Sequence, residues 1–216
     1  MIRTAQQEEK AFQLLRKAIL TGDFIEGDSV REARLAREWK IGRTPLRQAV
    51  RRAAAFGYIT LRPNYAPIVR KLSAEDVEQI YSLREELECA ALKAAWDRIK
   101  PHDIKEAKKL LHSVESSVSI SDRLKRQFLL DEGLHAIWIS NCNNAWLVEA
   151  LERLLIYRPN QISVLRSYPH LAESGYEDHK KIIRSLEEGD LRKTTQQLRL
   201  HIRRSGGGLV QFIRSR

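Results

Sequence analysis

Two sets of side chains in this sequence have types and spacings that could do chemistry. The first centres on Asp131 and His135, four residues apart in Phe128-Leu129-Leu130-Asp131-Glu132-Gly133-Leu134-His135. On a helix such positions leave the same face one turn apart, and Leu130, Leu134 and Ile137 turn that face towards an interior. His179 sits in Glu177-Asp178-His179-Lys180-Lys181-Ile182-Ile183, and His201 in Leu198-Arg199-Leu200-His201-Ile202, each within a helical pattern. One carboxylate and three imidazoles from three helices make a ligand set for Zn²⁺, Ni²⁺, Mn²⁺ or Fe²⁺. The competing reading is ordinary: three separate core histidines, each hydrogen-bonded where it lies, because spacing does not show that the three helices meet. A metallo-hydrolase built on the same cluster is the alternative activity. Against it, catalytic zinc keeps three protein ligands and an open position, whereas all four donors here could be used on the metal, with no separate general base evident beside them.

The second set is Arg43, Arg47 and Arg51, spaced by four in Gly42-Arg43-Thr44-Pro45-Leu46-Arg47-Gln48-Ala49-Val50-Arg51-Arg52. They share one face of a helix, while Leu46, Ala49, Val50 and Ala53 make an apolar face. Gly42 is an acceptable N-cap and Pro45 falls in the first turn, where its missing N–H costs nothing. Arginine carries a flat donor fork that matches guanine O6/N7 and phosphate oxygens. A helix buried on one side and lined with arginine on another can be packed and still read DNA; a merely solvated basic helix is the bland counterpart.

The elements that must position these groups can be read from the flanks. Residues 8–20 form an amphipathic helix stopped by Thr21-Gly22-Asp23. Arg31 to Trp39 is a short second helix, and Lys40-Ile41-Gly42 leaves room only for a tight corner before the arginine helix, which is the spacing of a helix-turn-helix. Phe56-Gly57-Tyr58 closes the third helix. Tyr58 to Arg62 and Pro67 to Lys71 are strand-like, joined by the turn Pro63-Asn64-Tyr65-Ala66 into a hairpin or wing. Ser73 with Glu75 and Asp76 opens a second domain as an N-cap with an acidic first turn. From there the chain reads as helices at about 73–99, 102–117, 121–140, 144–157, 172–188 and 190–204, punctuated by Pro101, Pro159, Pro169 and Gly189-Asp190. The expected fold is mainly α: a winged helix-turn-helix over residues 1–72 and an all-α helical bundle over 73–216, with a loose tail from the three glycines at 206–208.

Charge divides the same way. The net charge is +10. Residues 1–72 hold 15 Lys and Arg against 7 Asp and Glu, and the remainder 23 against 21. A basic head on a near-neutral body is the electrostatic footprint of a nucleic-acid-binding domain joined to another. Cys89 and Cys142 are too few for a disulfide framework and suit a reducing cytoplasm. The polar start, Met1 to Lys10, has no signal-peptide core, and no apolar run is long enough to span a bilayer. The chain is therefore expected to be cytoplasmic, with no membrane partner.

With these motifs in place, the chain resembles the GntR family of bacterial transcription regulators, in the FadR-like branch that carries an FCD ligand domain. Arg43-Thr44-Pro45-Leu46-Arg47-Gln48-Ala49 is similar to the family's Arg-Thr-Pro-Val-Arg-Glu-Ala. Leu35-Ala36 precedes it, and Gly57-Tyr58-Ile59 with Leu61-Arg62-Pro63-Asn64 follows. Ile80-Tyr81-Ser82-Leu83-Arg84-Glu85-Glu86-Leu87-Glu88 looks like the opening helix of the second domain. Asp131, His135, His179 (after an acidic residue) and His201 fall where many FCD domains bind a divalent metal. Departures are Lys40 where the corner has Gly, Gly42 where the cap is Ser, and Tyr65-Ala66 where a basic residue and Gly are common in the wing. A left-handed Lys40 would carry about 1–2 kcal/mol of strain, and Ala66 would tolerate a positive φ poorly.

The resemblance implies a homodimer that sets two recognition helices on an inverted-repeat operator in double-stranded DNA. Arg43 and Arg47 are then expected at base edges, Arg31, Thr44 and Arg51 at phosphates, and Asn64 and Tyr65 at the wing tip. It also implies a divalent metal, Zn²⁺ foremost, holding the carboxylate of a small organic-acid effector. Arg84 would either pair with that ligand through its fork or form a structural salt bridge with Glu88 one turn on. Effector binding would shift the spacing of the DNA-binding heads.

Overall fold

The computed structural model describes residues 2–167 and 170–215; Pro169 lies outside them. The residues group into two compact units, Met1–Leu72 with Leu155–Ser163, and Ser73–Leu154 with Val164–Arg216.

The first unit opens with α1 (Ile2–Leu20), which begins a turn and a half before the expected start, and continues with α2 (Glu32–Glu38) and α3 (Arg43–Ala55). Phe12, Leu15 and Ile19 of α1 meet Leu35 of α2 and Leu46, Ala49, Val50 and Ala53 of α3 in one buried cluster. Each helix contributes the apolar stripe its spacing announces. The corner between α2 and α3 turns on Lys40 at φ 53°, so the residue standing where glycine is usual adopts the left-handed conformation itself. Gly57, at φ 84°, ends α3: its N–H donates to the Ala54 carbonyl at 2.9 Å and that of Tyr58 to the Ala53 carbonyl at 3.0 Å, the double closure of a Schellman motif.

The wing differs from the expected four-residue turn. Strands β1 (Ile59–Arg62) and β2 (Tyr65–Val69) pair antiparallel, and Arg62 faces Tyr65 across Pro63-Asn64 alone. Asn64 takes the positive φ, 62°. Proline followed by a left-handed residue is the pattern of a type II turn, so Ala66 lies in a strand and carries no backbone strain. An irregularity in register between Thr60 and Arg62 absorbs the mismatch, and Ser29 adds an isolated bridge to Ile68.

The second unit is a bundle of helices. Ser73 caps α4 (Ala74–Ala95) with a full capping box, its hydroxyl accepting from the Asp76 N–H and the Asp76 carboxylate accepting from the Ser73 N–H, both at 3.0 Å. Then follow α5 (Pro101–Glu115), α6 (Ile120–Asn141), α7 (Ala145–Leu154), α8 (Arg158–Ser167), most of which counts with the first unit, α9 (His170–Glu187) and α10 (Leu191–Arg214). Two findings correct the sequence reading. A helix, α8, occupies a stretch taken as a punctuated connection; Pro159 sits in its first turn, where proline is harmless. The glycine tail is not loose, because α10 runs through Gly206, Gly207 and Gly208 to Arg214. A Cβ on Gly206 would lie 2.7 Å from Tyr81 Cγ, so glycine there lets α10 close onto α4, and Leu209, Val210 and Phe212 bury the end of the helix. Among the described residues no helix is long and apolar enough to cross a membrane.

Candidate metal centre and nucleic-acid interface

The bundle brings together the four side chains that the sequence could only place on separate helices. Asp131 and His135 project one turn apart from α6, His179 comes from α9 and His201 from α10, all buried. Their donor atoms converge. His179 Nε2 lies 3.2 Å from His201 Nε2. Asp131 Oδ1 lies 3.4 Å from His179 Nε2 and 3.8 Å from the Nε2 atoms of His135 and His201. All four donors fall within 4.8 Å of one another. Four ligands about 2.1 Å from a tetrahedral ion would stand about 3.4 Å apart, so the donors already enclose a space of the right size. Two imidazole nitrogens facing each other at 3.2 Å are stable when one is protonated towards the other or when both face a cation. His135 Nε2 is buried with no hydrogen-bond partner among the described residues, as a nitrogen awaiting an ion would be.

The charge state suits a metal. Burial, reinforced by the neighbouring His179, pushes the His201 imidazolium down to about 3. Burial also lowers His179, and Asp131 offsets that only in part. Both rings are thus neutral at physiological pH, so neither has to give up an imidazolium charge before a cation binds.

The surrounding groups hold His135 in a ligating tautomer. Glu88 of α4 meets His135 Nδ1 in a short hydrogen bond, accepts from Trp138 Nε1 at 3.1 Å and from Arg84 Nε at 2.5 Å. Arg84 Nη2 also lies 3.3 Å from His135 Nδ1. Nδ1 cannot accept from one and donate to the other. The carboxylate can only accept, which places the proton on Nδ1 and the lone pair on Nε2, facing the cluster. Burial alone would raise the Glu88 carboxyl, but Arg84 and His135 outweigh it and bring it to about 2, so it stays ionised. Arg84 is therefore found in the i,i+4 salt bridge, fully buried, rather than held out towards open solvent. Glu88 was named in the sequence only as Arg84's helix partner and Trp138 not at all. The signal for both was present: each sits one helical turn from a residue already singled out.

In the first unit α3 buries Pro45, Leu46, Ala49, Val50 and Ala53 and exposes Arg43, Thr44, Arg47 and Arg51, with Arg31 exposed just ahead of α2. Arg52 is different: it pairs with Glu9 at 2.5 Å and lies over the Phe12 ring at 4.1 Å, fastening α3 to α1. At the wing tip Asn64 is exposed and Tyr65 is 73% exposed. Arg62 is turned back on the hairpin: Nη2 donates to the Ala66 carbonyl at 2.8 Å and the guanidinium lies 5.6 Å from the Tyr65 ring centre.

Comparison with known proteins covers both units. Residues 79–204 match the FCD domain, and residues 7–69 match the bacterial regulatory proteins of the gntR family. The HTH-type transcriptional regulator YdhC of Bacillus subtilis is 23% identical over 192 residues, which is 88% of this chain and 85% of that protein. The Nta operon transcriptional regulator of Aminobacter aminovorans is 29% identical over 133 residues, 61% of each. Among solved structures, E. coli McbR/YncC superposes with a TM-score of 0.82 at 19% identity, covering 95% of this chain and 98% of that one. That last likeness speaks for the fold. The matched families and relatives are transcriptional regulators, not hydrolases.

Proposed function

The chain belongs to the GntR family of bacterial regulatory proteins, with an FCD domain behind its DNA-binding head, and from that premise we propose that it is a homodimeric regulator whose operator affinity is set by a small carboxylate bound at a divalent metal in the helical unit. The observation that carries the proposal is the convergence of Asp131, His135, His179 and His201 on one buried point, with Glu88 fixing a ring orientation around it. Those four residues would hold the ion, Zn²⁺ first among Zn²⁺, Ni²⁺, Mn²⁺ and Fe²⁺ given three imidazoles and one carboxylate. When bound, such an ion supplies a Lewis-acid site that takes an anionic oxygen. Arg84 and the ionised Glu88 offset one another beside it, so the preference for an anion comes from the ion itself. Three neutral imidazoles and one carboxylate leave the centre with net positive charge once loaded, which selects an anion.

In the head, Arg43 and Arg47 are assigned to base edges and Arg31, Thr44 and Arg51 to phosphates, with Asn64 and Tyr65 reaching the backbone from the wing. Two heads in a twofold dimer would read an inverted repeat. Effector and DNA would then change one another's affinity by the same factor. Selection from a randomised duplex library tests the reading. An inverted repeat should emerge, bound with an affinity that falls steeply with salt; failure to enrich any sequence, or binding indifferent to salt, would overturn it.

A further inference from the structure

One contact on the reading surface has no part in the roles assigned so far. Arg47 Nε donates to Glu32 Oε2 at 3.3 Å, across fifteen positions of sequence. Glu32 is the first residue of α2, and its side chain is 27% exposed against 63% for Arg47. The choice of nitrogen matters. An Nε–H bond grips the guanidinium by its inner edge and leaves the two terminal Nη groups available. Recognition of guanine needs two parallel N–H donors aimed at O6 and N7, and the Nη pair supplies them end-on. The neighbouring arginines are not held this way. Among the described residues Arg31, Arg43 and Arg51 make no ion pair, and Arg52 is committed to Glu9 away from the exposed face.

We propose that Glu32 is a positioning residue for DNA reading: it pre-sets the fork of Arg47 for a guanine edge and thereby determines sequence preference at one base of each half-site. The inference rests on the regulator reading above. An arginine whose orientation is fixed before contact loses less rotamer freedom on binding and tolerates fewer wrong partners. Arginines that swing freely suit phosphates, which recur along the backbone and carry no sequence. Glu32 acts a second way. Its carboxylate lies beside a surface meant for a polyanion, so it weakens contacts that do not use Arg47 to neutralise it. Sequence preference is thus sharpened both by support for the correct base and by repulsion in every other register.

The test uses the full chain as wild type, Glu32→Ala, Glu32→Gln, Arg47→Ala and the Glu32→Ala/Arg47→Ala double variant. Base preference at each position is read from a randomised duplex library, and affinity for an unrelated duplex is read across a salt series. Glu32→Ala should relax guanine preference about tenfold at one position per half-site while raising affinity for unrelated DNA. Glu32→Gln, whose amide oxygen still accepts from Nε, should stay within about threefold of wild type at that position; this guards against a disturbed first turn of α2 in the alanine variant. In base preference the double variant should match Arg47→Ala alone, while it binds unrelated DNA more tightly because the unpaired carboxylate is gone. Unchanged base preference in Glu32→Ala overturns the inference, as does an equal change in the Arg47→Ala background. A wild-type chain without affinity for any duplex would overturn the regulator reading and this inference together, whereas selective binding indifferent to Glu32 overturns this inference alone.

Discussion

Three consecutive glycines inside α10 make an experiment with its own controls. A glycine in a helix interior costs about 0.8–1.0 kcal/mol relative to alanine. At Gly207 and Gly208 a Cβ would meet nothing within 4 Å and neither residue has a positive φ, so Gly207→Ala and Gly208→Ala should each recover most of that. Gly206 is the opposite case. Its Cβ would stand 2.7, 2.8 and 2.9 Å from Tyr81 Cγ, Cδ1 and Cβ, against the 3.5–4.0 Å of ordinary carbon contact. Tyr81 is only 4% exposed and lies under the Arg84 guanidinium at 5.5 Å, so the ring cannot swing clear. Overpacking of this kind costs about 1–3 kcal/mol, and the helix-propensity gain offsets about 1 of it. The net loss for Gly206→Ala is therefore about 0–2 kcal/mol. In a chain of this size each kcal/mol moves the melting temperature about 2–4 °C. Urea titration and thermal melting of the three variants should show two modest gains and one loss. The loss should come with weakened metal binding, because Tyr81, Arg84, Glu88 and His135 follow one another into the centre. A stabilised Gly206→Ala, or destabilised variants at both 207 and 208, would refute the account of why α10 continues through the glycines.

Other consequences are as direct. Glu88→Gln keeps the shape of the side chain but removes the charge that orients His135, and should weaken Zn²⁺ about 10–100-fold, measured by competition with a chromophoric chelator; undiminished affinity would leave Glu88 a purely structural residue. Glu85, buried, is held below the ordinary carboxylate range chiefly by its hydrogen bond from Arg203, against the upward push of burial. A carboxyl depressed in the folded state contributes stability that is present above its unfolded value of about 4.3 and is lost as pH falls through the folded value. Glu85→Gln should flatten the stability profile between about pH 4.5 and the acid transition, and an identical slope in wild type and variant would contradict this. Lys40 at φ 53° predicts that Lys40→Gly relieves about 1–2 kcal/mol of strain against about 0.5–1 of lost backbone restriction. A higher melting temperature checks it, and a lower one would mean that the side chain stabilises the corner.

The sequence disclosed what is periodic. The stripe Leu46, Ala49, Val50, Ala53 and the opposing Arg43, Arg47, Arg51 had only one helical arrangement, and α3 adopts it. The caps at Ser73 and Gly57 were legible because each satisfies a local hydrogen-bond need. The candidate metal ligands were legible as types but not as neighbours, since nothing local brings α9 and α10 onto α6; the resemblance supplied what spacing lacked. The misreadings have physical causes. Gly206-Gly207-Gly208 carries a poor helix propensity that tertiary burial of Leu209, Val210 and Phe212 overrides. Pro159 ends a helix in the interior but is harmless in a first turn, and only α8 shows which position it holds. Ala66 looked strained because the turn was taken to include it, whereas Pro63-Asn64 closes the hairpin alone. Glu32 escaped notice because its partner lies fifteen residues away on another helix.

The proposed regulation requires one coupling: an anion held at the Asp131/His135/His179/His201 centre would change how tightly the arginine-lined head holds DNA. Binding of the selected duplex should be measured for Zn²⁺-loaded protein with and without saturating small carboxylates, beside His201→Ala treated identically. At least one carboxylate should shift wild-type affinity about 5–150-fold, and the shift should vanish in His201→Ala. A carboxylate that binds the metal-loaded protein while leaving DNA affinity unchanged, or a shift that survives loss of His201, would contradict it.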